Sequence, residues 1–503
     1  MTDQAALATE GSSYLRPARR PRPEKARAQE AGAPAATAPR LLAFFFLVLL
    51  LPLNFSLGSL SLSPIRVLLL LAFVPLVLRW TMGGAGRITK GDILITLHCF
   101  WVGLALFAVH GSDRIPFIGI TIVEIFGSYL LGRLLIRNAT DYRLLFRYFL
   151  IALAILAPFV LVEMVTSQLV ISEILGRVAA THPKLQAGSA DMRMGFFRAQ
   201  AVFEHPILWG VFCSVGIANV FHIYREKFLK SVFLTGFVTG MTFTSLSSAP
   251  LLSVAVQLIT IGWGWITRYA WWVLIGFAVL GYVAIDLLSN RTPVQVLITY
   301  LTFNSASAYW RLLIWDFGSA EVLRHPLFGL GLGDWARPDW MFTASVDNFW
   351  LLTAMRYGLP AFLLLAAGIV TNLVQIIRAD LSDRLADFRR GYVIALVGLA
   401  ITLCTVHAWG ATFVFVMFYI GAGSWLFTET AAEPAGAPQR AAVRGPARPP
   451  RAPVRGVPDD PGEAVIPDAV AARSSRGRPT EAERLARRRA QYSGSGRDDR
   501  RTG

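Results

Sequence analysis

Ionisable side chains are scarce in apolar stretches of this chain, so those present mark where chemistry could sit. Arg66, Glu124, Glu163 and Asp286 stand inside or at the ends of such stretches. Charges at membrane depth are costly and tend to face an interior cavity or a partner, which for Arg66 and Glu124 predicts either a cavity or a structural Arg–Glu pair. Two polar interruptions, 166–204 and 289–345, with the residues just after them, add Arg193, Arg198, Glu204 and His205, then Arg311, Arg324, His325 and Asp347. These residue types can hold an anion or move a proton. His205 and His325 each precede a proline, and His-Pro can equally open a helix, because Pro suits its first turn. Other chemistries lack their signatures. No zinc or P-loop motif is present; WGVFCSVG lacks strand context and GLGLGDW follows no strand–helix unit, so neither reads as a dinucleotide site. The serines of SLSSAP have no elbow motif and no base nearby in sequence. Cys99, Cys213 and Cys404 are scattered in apolar blocks, which supports no disulfide framework or zinc site and reads as small core residues.

The elements that must carry these residues are membrane helices. Of 503 residues, 54% are hydrophobic and 16% charged, against about a quarter charged in soluble domains. The mean hydropathy is +0.50. Apolar residues come in blocks of about 20, enough to cross a hydrocarbon core of about 30 Å. Spans are expected near 41–57, 64–80, 93–110, 115–136, 145–165, 205–224, 229–245, 250–267, 270–288, 358–378, 391–409 and 411–428. The fold class is therefore an all-α polytopic membrane protein of about 12 transmembrane helices, with long outer loops at 166–204 and 289–357. Residues 1–40 and 429–503 carry +3 and +5 of the net charge of +16, mostly on Arg among Ala, Pro and Gly. Without apolar periodicity they read as disordered basic tails that fix orientation or touch anionic lipid. Nucleic-acid binding has no aromatic interleaving behind it. The polar first forty residues are too long and irregular for a signal peptide.

Short loops set the orientation. With the N-terminal tail inside, the inner loops hold fifteen Lys and Arg, and the short outer loops hold Arg114 alone. By the positive-inside rule both tails are cytoplasmic and both long interruptions lie outside. Residues 346–378 are too long for one crossing and too short for two. VDNFWLLTAMRY is expected as a short helix at the outer surface, with the crossing starting at Gly358 and Pro360. Trp310, Leu313, Ile314 and Phe317 fall at helical spacing and predict a second interfacial helix over 306–323.

Three segments resemble the O-antigen ligase/polymerase-like family of bacterial membrane glycosyltransferases. They are FRAQAVFEHPILWG (197–210), SAYWRLLIWDFGSAEVLRHPLFGLGLGDW (307–335) and VDNFWLLTAMRYGLPAF (346–362). The resemblance implies transfer of an oligosaccharide from an undecaprenyl diphosphate carrier at the outer, periplasmic face of the inner membrane, without a metal or other cofactor. Arginine suits the departing diphosphate, because its fork meets phosphate oxygens in two places and keeps its charge. On this reading Arg198 and Arg311, helped by Arg66, bind the diphosphate. A base must take the acceptor proton; Asp347, His325 and Glu204 are the candidates. Family ligases carry a histidine where this chain has Asp347, a departure that favours the exopolysaccharide-polymerase branch. The expected activity is polymerisation of lipid-linked repeat units, with a chain-length regulator and a flippase as further partners. The alternatives are an O-antigen ligase with a lipid or protein acceptor, a cell-wall glycan polymerase, and a lipid-linked oligosaccharide flippase. A flippase has no use for two long outer loops.

Overall fold

The computed structural model describes residues 38–57, 60–177, 192–267, 270–290, 296, 305–341 and 343–428. The expectations for the tails and for the middle of each long outer loop therefore lie largely outside the described residues. The described chain is mostly helical, as the apolar blocks require, and its strands are two short antiparallel hairpins at Phe55–Leu62 and Met192–Phe197. Among the described residues, eight apolar runs are long enough to cross a membrane: Pro64–Thr81, Lys90–Leu135, Ala139–Thr166, Pro206–Ile223, Ser248–Ile266, Trp271–Leu288, Phe349–Arg378 and Gly410–Phe427. The protein is thus a multi-pass helical membrane protein. Helices also occupy the other expected spans. Those at Ala38–Leu49 and Phe228–Phe243 are short, at 12 and 16 residues, and the one at Asp383–Thr402 opens on charged residues.

The run Lys90–Leu135 is two helices rather than one. The chain turns at Gly111, which adopts φ 65°, and folds back so that Ile118 and Ile122 lie against Gly103. Burial separates the centre from the rim. Pro206–Ile223 is 89% buried and Gly410–Phe427 78%, whereas Trp271–Leu288 is wholly unburied and faces outward. The centre admits close backbone contact through small residues, as membrane helices favour. A Cβ on Gly132 would stand 2.0 Å from the Phe418 carbonyl oxygen, and one on Gly421 would stand 2.0 Å from that of Tyr129. Cys99 and Cys213 belong to this core, but Cys404 is exposed, because the helix before it has already ended.

The helix turns gather into two sets. In one, Arg133 donates to the Arg87 carbonyl, Arg384 to that of Ile223, and Arg225 pairs with Asp387 at 2.7 Å. A capping box at Thr89 and Asp92 starts the Lys90 helix, and Asp92 also meets Arg133 at 2.8 Å in a fully buried ion pair. The other set carries the residues singled out by the sequence.

Within that second set the helix Phe349–Arg378 breaks at Gly358, at φ 82° and ψ 167°, where the sequence places the start of a crossing. A break at membrane depth leaves backbone groups without helical partners, and here they are met by residues 326–332. Leu330 and Gly331 donate to the Met355 and Arg356 carbonyls at 2.7 and 2.9 Å, and Leu359 donates to Pro326 at 2.8 Å. The glycines permit this approach: a Cβ on Gly329 would stand 2.5 Å from the Met355 oxygen, and one on Gly358 would overlap the Leu327 oxygen. His110 completes the clamp by accepting from Leu332 at 2.7 Å. The segment HPLFGLGL therefore braces a broken helix.

Candidate active site

Three arginines converge on one cavity of about 420 Å³. Arg193 comes from the Met192–Phe197 hairpin, Arg198 from the stretch after it, and Arg311 from the helix Ser305–Arg324. Asp347, His205, Trp310, Ser247, Ser248, His407 and Trp409 share the lining. The turn 244–247 holds two of the arginines. Arg198 donates to the Ser247 hydroxyl at 2.8 Å and Arg193 to the Leu246 carbonyl at 3.0 Å. Ala199 donates to Thr244 at 3.0 Å, pinning the arginine strand to the same turn. The SLSSAP serines thus act as scaffold. Leu246 takes φ 43° to make this turn, a strained value for a branched side chain that surrounding structure must hold in place.

Asp347 immediately precedes Asn348, which caps the broken helix by accepting from the Leu351 N–H at 3.0 Å. The Ser345 hydroxyl donates to Asp347 at 3.2 Å. Burial draws the Arg311 guanidinium below its usual pKa; the Asp347 charge opposes that shift and the Arg193 charge adds to it. With three cations and one carboxylate, the lining carries an excess of positive charge. An anion with several oxygens would relieve it, since arginine forks bind phosphate oxygens in pairs. His205 caps its helix by accepting the Ile207 N–H on Nδ1 at 3.1 Å, which leaves Nε2 as its donor.

A second cavity, of about 400 Å³, adjoins the first and shares His407 and Trp409 with it. Arg66 and Glu124 line it and pair at 2.5 Å, the Arg–Glu pair anticipated from sequence. A single π-helical turn, Val123–Gly127, carries Glu124; such turns interrupt α-helices frequently at functional sites. Arg356, Tyr357, His98, Phe117, Phe349 and Phe413 complete much of the wall.

The structure brings Arg198, Arg311 and Asp347 to one cavity and places Arg66 in the neighbouring one. Glu204 lies in neither lining; its carboxylate sits against Gly410, where a Cβ would meet Oε1 at 2.5 Å. His325 is also outside both. It follows the last turn of the helix Ser305–Arg324, half-exposed, with Nε2 3.3 Å from Glu321, so this His-Pro follows the end of a helix rather than opening one. His407 and Arg356 were not singled out from sequence. The expected span 391–409 hides His407, but the helix ends at Thr402 and residues 403–409 are irregular. The rule that flagged Arg66, a polar side chain within an apolar block, applies equally to His407. Among the described residues no cluster of His, Cys, Asp and Glu has the arrangement of a metal site.

No family model matches the chain, and no curated protein matches it.

Proposed function

We propose that the protein is a polysaccharide polymerase of the bacterial cytoplasmic membrane, joining undecaprenyl-diphosphate-linked repeat units on the periplasmic face. The supporting observation is the cavity in which Arg193, Arg198 and Arg311 stand with Asp347 beside the start of a broken membrane helix. On this reading the diphosphate lies against Arg198 and Arg311, and the guanidinium forks stabilise the charge that grows as the anomeric bond breaks. Asp347 either takes the acceptor proton or orients Arg311. Arg193 joins the diphosphate set, while Arg66 is committed to Glu124 next door. The orientation comes with the proposal: twelve crossings, both tails cytoplasmic, and the arginine cavity outside. A ligase would use the same site with another acceptor; Asp347, in place of the ligase histidine, favours the polymerase.

Titration of the detergent-purified chain with inorganic pyrophosphate tests the reading. Each charge-assisted contact contributes about 1.5–3 kcal/mol, so Arg198→Ala or Arg311→Ala should weaken binding by about 10- to 150-fold. Wild-type affinity in both variants would remove the diphosphate assignment.

A further inference from the structure

His407 occupies irregular backbone between two helices that end at Thr402 and begin at Gly410. Non-helical chain at membrane depth is tolerated where it lines a cavity, and this stretch lines two. His407 and Trp409 are the residues common to both linings. The imidazole lies near two rings in roughly parallel planes, 6.3 Å from Phe349 at 12° and 5.8 Å from Trp409 at 29°. The Phe349 N–H donates to the Leu403 and Val406 carbonyls at 2.9 and 3.1 Å. These bonds tie the His407 stretch to the chain that carries Asp347.

The two cavities differ in charge. The first sets Arg193, Arg198 and Arg311 against Asp347. The second sets Arg66 and Arg356 against Glu124, with the Glu204 carboxylate beside its Gly410 wall. A cationic chamber suits a diphosphate. A charge-balanced chamber with aromatic walls and a few polar groups suits a neutral, hydroxyl-bearing ligand such as a sugar. A residue that touches both stands where a sugar hydroxyl would meet an anomeric carbon bound to diphosphate.

Resting on the polymerase reading above, we propose that His407 is the catalytic residue that takes the proton from the attacking hydroxyl, and that the second cavity receives the acceptor sugar. The acceptor O–H proton passes to an imidazole nitrogen as its oxygen bonds to the anomeric carbon. The anomeric C–O bond to the diphosphate breaks, and its electron pair leaves on the diphosphate, where Arg198 and Arg311 meet it. The imidazolium then releases the proton to water. Asp347 and His407 line the same cavity, from positions sixty residues apart.

Three forms of the full chain decide it: wild type, His407→Gln and His407→Phe. Polymer is measured in membranes holding equal amounts of each and their own lipid-linked glycan, and pyrophosphate binding is measured on the purified protein. Both variants should lose at least about 100-fold in polymer formation, with pyrophosphate affinity within about threefold of wild type. Phe keeps a ring near Phe349 and Trp409, so a fully active His407→Phe would show a packing role and overturn the proposal. Loss of pyrophosphate binding in both variants would assign His407 to anion binding and overturn it too. Wild type that fails to bind pyrophosphate would instead refute the diphosphate reading itself.

Discussion

Arg198 and Arg311 reach one cavity by different means. Arg198 is fixed through the Ser245–Ser247 turn and is 6% exposed, whereas Arg311 projects from a helix toward Asp347. Lysine would keep the charge at 311 but lose the planar fork. Arg311→Lys should therefore be nearly as damaging to polymer formation as Arg311→Ala, read in membranes with equal protein. Arg337 pairs with Asp334 outside both cavities, and Arg337→Ala should leave polymer formation near wild type. An Arg311→Lys protein at full rate would reduce that side chain to a local charge. Arg198, Arg311 and Asp347 were legible in sequence because they are polar and stand in segments with a recognisable order. The Arg66–Glu124 pair was legible from cost alone. The placement of Arg66 in the neighbouring cavity, apart from the other arginines it was expected to help, was not, because which cavity a side chain enters depends on helix packing.

The break at Gly358 shows what an element contributes to the site. It ends the short helix that begins beside Asp347 and carries Arg356 and Tyr357 in its last turn, and it releases the crossing that follows. The conformation, at φ 82° and ψ 167°, is essentially restricted to glycine, and any other residue there costs about 1–3 kcal/mol before its Cβ meets Leu327. Gly358→Ala should lower the thermal midpoint of the purified protein clearly. Gly276, in the outward-facing helix Trp271–Leu288 with nothing near its Cβ position, should accept Ala with no loss and a small gain from helix propensity. Equal midpoints would show that the clamp does not hold the break. The Gly-Leu-Pro sequence announced this boundary, since both end residues are poor helix formers. The early end at Thr402 had no such signal: Val406, Ala408 and Trp409 continue the apolar run, while the Leu403 and Val406 carbonyls accept from Phe349 across the fold.

At the scale of the whole molecule the positive charges mark one end. Arg133, Arg225 and Arg384 join the turns of that end through side-chain bonds, and in the proposed topology that end faces the cytoplasm. Single cysteines at Ser189 and Ser305 should therefore label from the periplasmic side. Labelling of both from the cytoplasm alone would reverse the proposed topology and remove the outer-face site. Deleting residues 1–35 and 435–503 should leave polymer formation unchanged in protein that inserts normally; a silent truncated protein would make the tails part of the mechanism. Hydropathy made the helices visible along the sequence, but it could not tell a central helix such as Pro206–Ile223 from a peripheral one such as Trp271–Leu288, since both are apolar enough to cross a membrane. The clamp on the broken helix has a consequence for biosynthesis. Residues 326–332 leave the ribosome before the Met355 and Arg356 carbonyls they will meet. The brace is thus already made when the helix that needs it emerges, and the chain is spared an interval in which those carbonyls would enter lipid unpaired, at several kcal/mol each.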